Sequence, residues 1–251
     1  MQPELHLGPI TLQTFGIAFS LGFIASGLVI ARRLAELGKP VDWAYEMVLA
    51  ALVGGLVGAR GYFVIQHWDT ASGDLLGSIF SGDGLVWYGG AIGGAIAVCA
   101  WAYWRGFLSV TLLDVCAPAL ALGYAVGRVG CQVSGDGDYG IHSNLPWAMS
   151  YPNGTVPTDD RVHPTPIYES ISMALIAWGL WLLRDRVQPG ILFAIYLVAA
   201  GTERFLVEFI RRNDEVFAGL TAPQLQSLVL ILAGITWLAI SAIRREPATA
   251  R

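Results

Sequence analysis

The chain of 251 residues alternates between long apolar stretches and shorter polar segments. A helix needs about 20 mostly apolar residues to cross the hydrocarbon core of a bilayer. Seven stretches meet this requirement: 12–31, 43–65, 86–104, 112–129, 166–183, 191–210 and 224–243. The pattern therefore predicts an all-α integral membrane protein, a single transmembrane domain over residues 1–251 built as a bundle of seven spanning helices.

The composition agrees with this prediction, because 55% of the residues are apolar and only 14% are charged. A soluble domain carries about a quarter charged residues. No basic run indicates a nucleic-acid partner. The three cysteines, Cys99, Cys116 and Cys131, lack the spacing of metal ligands and are expected to be free thiols. The first ten residues lack a basic signal-peptide region, so the first span is expected to stay in the mature protein.

The positive residues between the spans predict the orientation of the chain. Three of them, Arg161, Arg211 and Arg212, lie on one side. Nine lie on the other side, after spans one, three, five and seven: Arg32, Arg33, Lys39, Arg105, Arg184, Arg186, Arg244, Arg245 and Arg251. Because cytoplasmic loops carry an excess of Lys and Arg, the N-terminus is expected outside and the C-terminus in the cytoplasm.

The longest connection, residues 130–165 between spans four and five, is then an extracytoplasmic loop. It is rich in Gly, Asp, Asn and Pro and has no apolar periodicity. Loops of this length are usually functional. A solvated linker is the alternative, but Trp147, Met149 and Tyr151 favour partial insertion at the membrane interface.

Several predicted spans contain or adjoin arginines: Arg60, Arg128, Arg204 and Arg211. A charged side chain at bilayer depth is costly, so such residues usually face a protein interior and carry function. Arg204 and Glu208 are four residues apart on one helical face, and this pair could simply neutralise itself within the bundle. Two arginines that converge on a phosphate explain the surplus of cations better, which predicts a site for an anionic lipid headgroup.

The densest motif surrounds Arg128, with Gly127 and Gly130 on either side and Asp136 and Asp138 downstream. A guanidinium donates two parallel hydrogen bonds to phosphate oxygens, and flanking glycines let a ligand come close. The aspartates would orient the arginine or bind a cation. The alternative is an arginine that extends from a helix end to the interface, followed by a Gly/Asp turn.

Two other motifs have both a structural and a functional interpretation. Gly89 and Gly90, which follow Tyr88, either let helix backbones approach closely or leave room for a lipid. His163 suits proton transfer near neutral pH, or it caps and orders the loop at the interface. Glu169, one turn into span five, is expected to pair with an intramembrane arginine.

In this order, the motifs resemble those of the prolipoprotein diacylglyceryl transferase family. The similar segments are 12–16, 58–62, 88–93, Asp114 with Pro118, 127–130, 163–165 with 168–169, and 204–211. The resemblance implies a transferase of the bacterial inner membrane that acts in lipoprotein biosynthesis. It would move the diacylglyceryl group of phosphatidylglycerol to the lipobox cysteine of a preprolipoprotein, forming a thioether and releasing glycerol phosphate. It implies no metal and no organic cofactor; the partners are the two substrates and membrane lipid.

By position in the family's motifs, Arg128 and Arg204 are the catalytic arginines that hold the phosphate, and Glu208 positions Arg204. Activation of the acceptor thiol falls to Tyr88 or His163, or the cationic site lowers the thiol pKa unaided. The remaining candidates for phosphatidylglycerol binding are Arg60, Gly89, Gly90, Gly130 and Asp136.

The chain departs from the family pattern at several positions, among them Ser134 and Asp136, where the family usually has asparagine and glutamate. Tyr88 stands where the family often has histidine, Phe15 where it commonly has tyrosine, and Cys131 where it usually has asparagine. Two other functions therefore stay open. One is a divergent member that uses the same lipid donor with another acceptor. The other is a non-enzymatic lipid-binding or transport protein, although no internal repeat favours transport.

Overall fold

The structure is a computed structural model that describes residues 1–68 and 87–243. The seven helices of this part of the chain are α1 (Thr14–Glu36), α2 (Trp43–Gln66), α3 (Trp87–Trp104), α4 (Val110–Ser134), α5 (Thr165–Leu183), α6 (Ile191–Val207) and α7 (Ala222–Ile243). A 3-10 turn, Glu208–Ile210, continues α6. Three antiparallel hairpins pair β1 (Glu4–Leu7) with β2 (Ile10–Gln13), β3 (Met149–Tyr151) with β4 (Thr158–Val162), and β5 (Glu215–Phe217) with β6 (Leu220–Thr221).

Five helices, α1, α2, α4, α5 and α7, have the length and composition to cross a membrane. The protein is thus a helical integral membrane protein, as its apolar pattern predicts. The other two helices fall outside this set: α3 contains two Gly doublets, and α6 is regular for only 17 residues and carries Glu203 and Arg204. Seven spans therefore remain a prediction. Residue 86, the predicted start of span three, and the three C-terminal arginines lie outside the described residues.

Two helix ends differ from the predicted spans for the same physical reason. The first apolar stretch predicts an end at residue 31, but α1 continues to Glu36, where Arg33 Nη1 donates to Glu36 Oε2 at 3.0 Å. The fourth predicts an end at residue 129, but α4 continues to Ser134. Charged and polar residues end an apolar stretch of sequence, but they do not interrupt the hydrogen bonds of the helix.

The segment predicted as the loop 130–165 is therefore shorter and more ordered than expected. Its first residues belong to α4, and it contains the β3–β4 hairpin, which His142 extends by a bridge to Val162. The strands are too short for an alternating pattern to reveal them. The buried Tyr151 ring stacks on Tyr139 with 4.7 Å between ring centroids, which gives this segment a small core of its own.

The chain forms two compact units, and each is described by itself: Met1–Val29 with Leu113–Arg251, and Ile30–Leu112. In the second unit, α2 and α3 pack through glycines. A Cβ on Gly89 would meet the carbonyl oxygen of Gly58 and the Cβ of Tyr62, and one on Gly93 would meet the carbonyl oxygen of Gly54. Such close backbone approach is typical of membrane helix pairs, and it supports the packing interpretation of the Gly doublets.

At the other end of this helix pair, the charge at Glu46 within span two has local partners. Its Oε2 accepts hydrogen bonds from Trp101 Nε1 at 2.7 Å and from Arg105 Nε at 2.8 Å. The rings of Trp43 and Trp101 meet edge to face beside them.

In the first unit, α4, α5 and α6 share an apolar core. Its buried members are Ala117, Ala121, Ala125, Met173, Ala177, Leu180 and Leu192. At one end of this core, Asp114 on α4 caps the start of α6: its Oδ2 accepts from the backbone N–H of Gly190 at 2.6 Å, and its Oδ1 from that of Phe193 at 2.9 Å. A side-chain acceptor at a helix start satisfies N–H groups that have no partner within the helix.

Candidate active site

The carboxylate of Glu169, in the second turn of α5, lies at the centre of a network of arginines and is fully buried. Its Oε1 accepts from Tyr124 Oη at 2.8 Å and lies 3.1 Å from Arg128 Nη2 and 3.3 Å from Arg204 Nη1. Its Oε2 lies 3.3 Å from Arg211 Nη1. The prediction that Glu169 pairs with an intramembrane arginine is confirmed, and it pairs with three.

Arg128 points into the protein and is only 14% exposed. Its Nε and Nη2 donate to the hydroxyl of Tyr124, one turn earlier on α4, at 3.0 and 2.8 Å. Its Nη1 pairs with Asp138 Oδ2 and faces Cys131 Sγ at 3.7 Å. The alternative of an arginine that extends outward from a helix end is therefore wrong for this residue.

Of the two aspartates that follow α4, Asp138 is the one that orients the arginines. Its Oδ2 pairs with Arg128 Nη1 and its Oδ1 with Arg211 Nη2. Asp136 Oδ1 instead accepts from the backbone N–H of Asp138 at 3.2 Å and orders the turn, in which Gly137 takes a left-handed φ of 94°. Glycine adopts such a backbone conformation without the steric cost that other residues meet.

The two carboxyls also differ in pKa. Burial by itself would raise the pKa of Asp138, but the guanidiniums of Arg128 and Arg211 outweigh it and hold that pKa below its ordinary value. For Asp136, burial raises the pKa above its ordinary value. Two carboxyls two residues apart are thus tuned in opposite directions by whether an arginine contacts them.

Glu208, in the 3-10 turn, is buried and has two differently occupied oxygens. Its Oε1 accepts from Asn213 Nδ2 at 2.6 Å and from Thr221 Oγ1 at 2.8 Å. Its Oε2 lies 2.7 Å from Arg204 Nη2 and 3.7 Å from Arg211 Nε. Neutral donors therefore hold one oxygen while the other faces the arginines, and this geometry fits the predicted role of Glu208 in positioning Arg204.

Asn213 and Thr221 are site residues that the sequence pattern does not single out. They lie at the two ends of the β5–β6 hairpin. Thr221 has a sequence signal: its N–H donates to Gln224 Oε1 at 3.0 Å, and the N–H of Gln224 donates to Thr221 Oγ1 at 3.4 Å. A threonine followed three residues later by glutamine, ahead of an apolar run, is a capping box. That signal marks the start of α7, although it does not reveal the contact with Glu208.

The network is balanced in charge, because the guanidiniums of Arg128, Arg204 and Arg211 face the carboxylates of Asp138, Glu169 and Glu208. Buried charges are tolerated when they are paired and hydrogen-bonded. The carboxylates hold the arginines in place without a ligand.

His163 lies in the loop segment just before α5. Its Nδ1 is 3.3 Å from Tyr168 Oη, and that oxygen accepts from Trp147 Nε1 at 2.7 Å. Within residues 1–68 and 87–243, no hydrogen bond or ion pair joins the imidazole to the arginines. These contacts fit an ordering role for His163, and its predicted role in proton transfer stays a prediction.

Four other predicted site residues belong to the second unit. Arg60 is buried, with its guanidinium carbon 5.1 Å from the centroid of the Phe63 ring. Tyr88 is 37% exposed. Gly89 and Gly90 lie in the glycine contact between α2 and α3.

In the first unit, Gly130 packs against α1, since a Cβ there would stand 2.6 Å from the Cβ of Ala18. Packing alone thus accounts for a glycine at this position. Phe15, also on α1, is exposed and stacks on Phe19 with 6.1 Å between ring centroids.

Cys131, Asp136 and Asp138 each offer a ligand atom, and these atoms lie within 4.8 Å of one another. Such a group could hold a metal ion in other surroundings. Here two guanidiniums contact Asp138, and one of them also faces the sulfur, so the local charge opposes a cation. The expectation that no metal is needed stays a prediction.

The helices and the buried ion network define an integral membrane protein in which three arginines are paired with three carboxylates. The model of the prolipoprotein diacylglyceryl transferase family matches residues 3–240. The protein therefore belongs to this family, and the resemblance inferred from its motifs is confirmed.

Individual relatives agree over most of their length. Proteins named phosphatidylglycerol–prolipoprotein diacylglyceryl transferase include one from Finegoldia magna, 34% identical over 231 residues that cover 90% of each chain. The protein of that name from Methylococcus capsulatus is 31% identical over 256 residues, 96% of this chain and 95% of the relative. The one from Clostridium tetani is 29% identical over 252 residues, 98% of this chain and 100% of the relative.

Proposed function

We propose that the protein is a phosphatidylglycerol–prolipoprotein diacylglyceryl transferase of the bacterial inner membrane. It transfers the diacylglyceryl group of phosphatidylglycerol to the lipobox cysteine of a preprolipoprotein. The observation that carries this proposal is the convergence of Arg128, Arg204 and Arg211 on buried carboxylates in a chain that belongs to the family.

The reaction exchanges one bond for another. The cysteine sulfur, once it has lost its proton, forms a bond to the terminal glycerol carbon of the diacylglyceryl group. The bond between that carbon and the phosphate oxygen breaks, and the electron pair leaves with the glycerol phosphate. Negative charge therefore grows on the phosphate, and preorganised cations in a water-poor site stabilise such charge most effectively.

Arg128 and Arg204 are the groups that receive this phosphate. A guanidinium remains charged at any physiological pH and can donate two parallel hydrogen bonds. Glu169 and Glu208 hold Arg204 from two sides, at 3.3 and 2.7 Å. Arg128 is held by Tyr124, Glu169 and Asp138 in the same way. Little reorganisation is then needed when the substrate enters.

Binding of the rest of the phosphatidylglycerol headgroup involves Arg60, Gly89, Gly90, Gly130 and Asp136. For the glycines, this role comes in addition to the helix contacts that already require a small residue. Asp136 acts through the turn that it orders, because its oxygen accepts from the N–H of Asp138.

The acceptor thiol loses its proton either to His163 or Tyr88, or unaided beside the arginines. Replacement of each candidate separates these routes. In His163→Gln or Tyr88→Phe, a loss of rate that higher pH restores identifies the missing base. If both variants keep the wild-type pH profile, the arginines alone account for thiolate formation.

The topology that goes with this function has seven spans, with the N-terminus outside, the C-terminus in the cytoplasm and the segment between α4 and α5 outside. Two contacts support a common face for the polar segments of the first unit: Gln2 N donates to Val133 O at 3.0 Å, and Ile141 N to Ile210 O at 2.9 Å. A green fluorescent protein fused to the C-terminus is expected to fluoresce. If a reporter fused to the C-terminus is active only in the periplasm, the C-terminus lies outside and the orientation is the reverse.

The first experiment incubates the purified protein with phosphatidylglycerol in detergent and a lipobox peptide, and weighs the peptide by mass spectrometry. A mass gain of one diacylglyceryl group on cysteine is expected, and a peptide with serine in place of cysteine is the control. Release of glycerol phosphate without a mass gain would point to a different acceptor. If the folded protein forms neither product, a lipid-binding role is the function that remains.

A further inference from the structure

A polar cavity of about 340 Å³ adjoins the arginine network. It is lined by Gly137, Asp138, Tyr139, Arg211, Arg212 and Asn213. Asp138 and Arg211 also belong to the buried network, whereas Arg212 and Asn213 are exposed. The cavity therefore connects the network with the protein surface, and it does so through polar residues.

Arg212 is held in place at this cavity. Its guanidinium carbon lies 4.3 Å from the centroid of the Tyr139 ring, and its Nη2 donates to Gly137 O at 3.5 Å. The Tyr139 ring is itself fixed, because it stacks on Tyr151 and its hydroxyl donates to Val156 O at 3.0 Å. A guanidinium placed over an aromatic ring can still donate hydrogen bonds through its other N–H groups.

The charges of the cavity favour an anion. Among the described residues that line it, Asp138 is the only acidic one, and its carboxylate is already paired with Arg128 and Arg211. Within the described part of the chain, no carboxylate forms an ion pair with Arg212. Since the buried network is balanced, Arg212 gives the cavity an excess positive charge.

The proposed reaction requires an exit route for its anionic product. One product is a lipidated protein that stays in the membrane. The other is glycerol phosphate, a small anion with a charge between about −1 and −2 near neutral pH, since the second pKa of a phosphate monoester is about 6. This anion must leave the buried arginines for water by a polar route. Arg211 contacts both the network and the cavity, so the phosphate can pass from buried to exposed arginines.

We propose that this cavity binds the glycerol phosphate group between the arginine network and water, with Arg212 as its outer cation. The proposal rests on the proposed transferase function. The ligand chemistry is a phosphate esterified to glycerol, whether it arrives as the free product or as the headgroup of the lipid donor.

The test measures inhibition of transfer by added glycerol phosphate, together with the KM for phosphatidylglycerol. Loss of one partly exposed, charge-assisted contact in Arg212→Gln is expected to raise the inhibition constant by about three- to tenfold. The matched control is Arg186→Gln, which removes an exposed arginine beyond the other end of α5 and is expected to keep wild-type values. A changed inhibition constant alone identifies the free product as the ligand; a raised KM as well shows that the lipid headgroup also visits the cavity.

A second variant and a direct binding measurement keep the proposal open to refutation. Arg212→Lys retains the charge but loses the planar guanidinium over the Tyr139 ring, and an inhibition constant between those of wild type and Arg212→Gln is expected. Folding of each variant is checked by its thermal unfolding midpoint in detergent. Folded Arg212→Gln and Arg212→Lys with wild-type inhibition constants and KM would overturn the proposal.

Calorimetry with glycerol phosphate alone, without an acceptor peptide, separates this proposal from the transferase function. If the wild type transfers no lipid but binds glycerol phosphate more tightly than Arg212→Gln does, the cavity site stands and the transferase function fails. If transfer occurs but the binding of glycerol phosphate is the same in both proteins, the cavity proposal fails alone.

Discussion

The contact between α2 and α3 and the network joining α4, α5 and α6 bring helices together by different physical means. In the first, glycines such as Gly58 and Gly89 let two backbones touch, and the Glu46–Arg105 ion pair lies at the other end of the helix pair. In the second, three arginines and three carboxylates meet with little exposure to solvent. One compact unit of the chain thus relies on close backbone approach, and the other adds buried charge to its apolar core.

The comparison shows that glycines, rather than buried ion pairs, stand at the closest approach of α2 and α3. Burial of an ion pair has a desolvation cost that its attraction often only balances, whereas close glycine contacts pack well in an apolar environment. The apolar core around Ala121 and Met173 already joins α4 to α5. We therefore propose that the network serves a ligand that needs fixed cations rather than the stability of the fold.

The largest expected effect tests that conclusion directly. Arg128→Ala and Arg204→Ala should each reduce transfer by at least about a hundredfold, the order of loss seen when a preorganised electrostatic group is removed. Membrane insertion should be unchanged. The matched control is Arg105→Ala, which removes an arginine paired with Glu46 in the second unit. Normal turnover in either network variant would show that these arginines serve packing after all.

The next effect concerns the residues that hold Glu208. Thr221→Val removes the hydroxyl that donates to Glu208 Oε1 at 2.8 Å. Leaving a buried charged acceptor without one partner costs about 1–3 kcal/mol, so kcat/KM should fall by roughly tenfold if Arg204 is thereby misplaced. Thr221→Ser retains the hydroxyl and should recover most of the activity. If Thr221→Val is as active as Thr221→Ser, Thr221 serves only as the cap of α7 and does not position Arg204 through Glu208.

The glycine contact is expected to respond in stability rather than in chemistry. Gly93→Ala places a Cβ against the carbonyl oxygen of Gly54, and overpacking of this kind costs about 1–3 kcal/mol. The unfolding midpoint should drop by several degrees, while the activity of the folded fraction changes little. Gly61→Ala is the control, because a Cβ there meets nothing within 4 Å. Equal midpoints for the two variants would mean that the close contact does not stabilise the pair.

The smallest effect separates the two aspartates of the turn by pH. The depressed pKa of Asp138 means that its carboxylate contributes stability above the ordinary aspartate pKa, and that this contribution is lost as pH falls through the depressed value. Asp138→Asn should therefore lower the unfolding midpoint at pH 7, by an amount that shrinks on acidification.

The raised pKa of Asp136 has the opposite sign. Its ionised form costs stability, and this cost appears as pH rises through the range between the ordinary and the raised pKa. Asp136→Asn should thus raise the midpoint at pH 7 relative to the wild type, with no gain below the ordinary pKa of about 3.9. Midpoint differences of the same sign for both variants at pH 7 would contradict the distinction between them.

Much of the helical fold follows from the sequence, because an apolar run of bilayer length is strongly indicative of a spanning helix. The start of α2 at Trp43 and the end of α5 at Leu183 match the predicted limits. The hairpins do not follow from it. Strands of two to five residues, such as β5 and β6, carry no alternation that could distinguish them from a turn.

The site was predictable in its charged residues and in the pairing of Glu169 and Glu208 with arginines, but not in its full set of contacts. Arg128, Arg204 and Glu208 stand out because charge in an apolar run is rare. Asp136 and Asp138 look equivalent in sequence, and only the path of the turn decides that Asp138 bridges Arg128 and Arg211. Asn213 could not be predicted either, because a polar residue next to a span has no distinctive pattern.

The contact between Asp114 on α4 and the start of α6 gives the two helices a common reference point along their axes. Arg128 lies fourteen residues beyond Asp114 on α4, and Arg204 lies fourteen residues beyond Gly190, whose N–H binds the Asp114 carboxylate. Both helices rise about 1.5 Å per residue, so both arginines stand roughly 21 Å from the tether and arrive at Glu169 level with each other. One residue inserted in either helix would advance its arginine by about 1.5 Å and turn it by about 100°. The cap at one end of α4 and α6 thus sets the relative positions of the arginines at the other end.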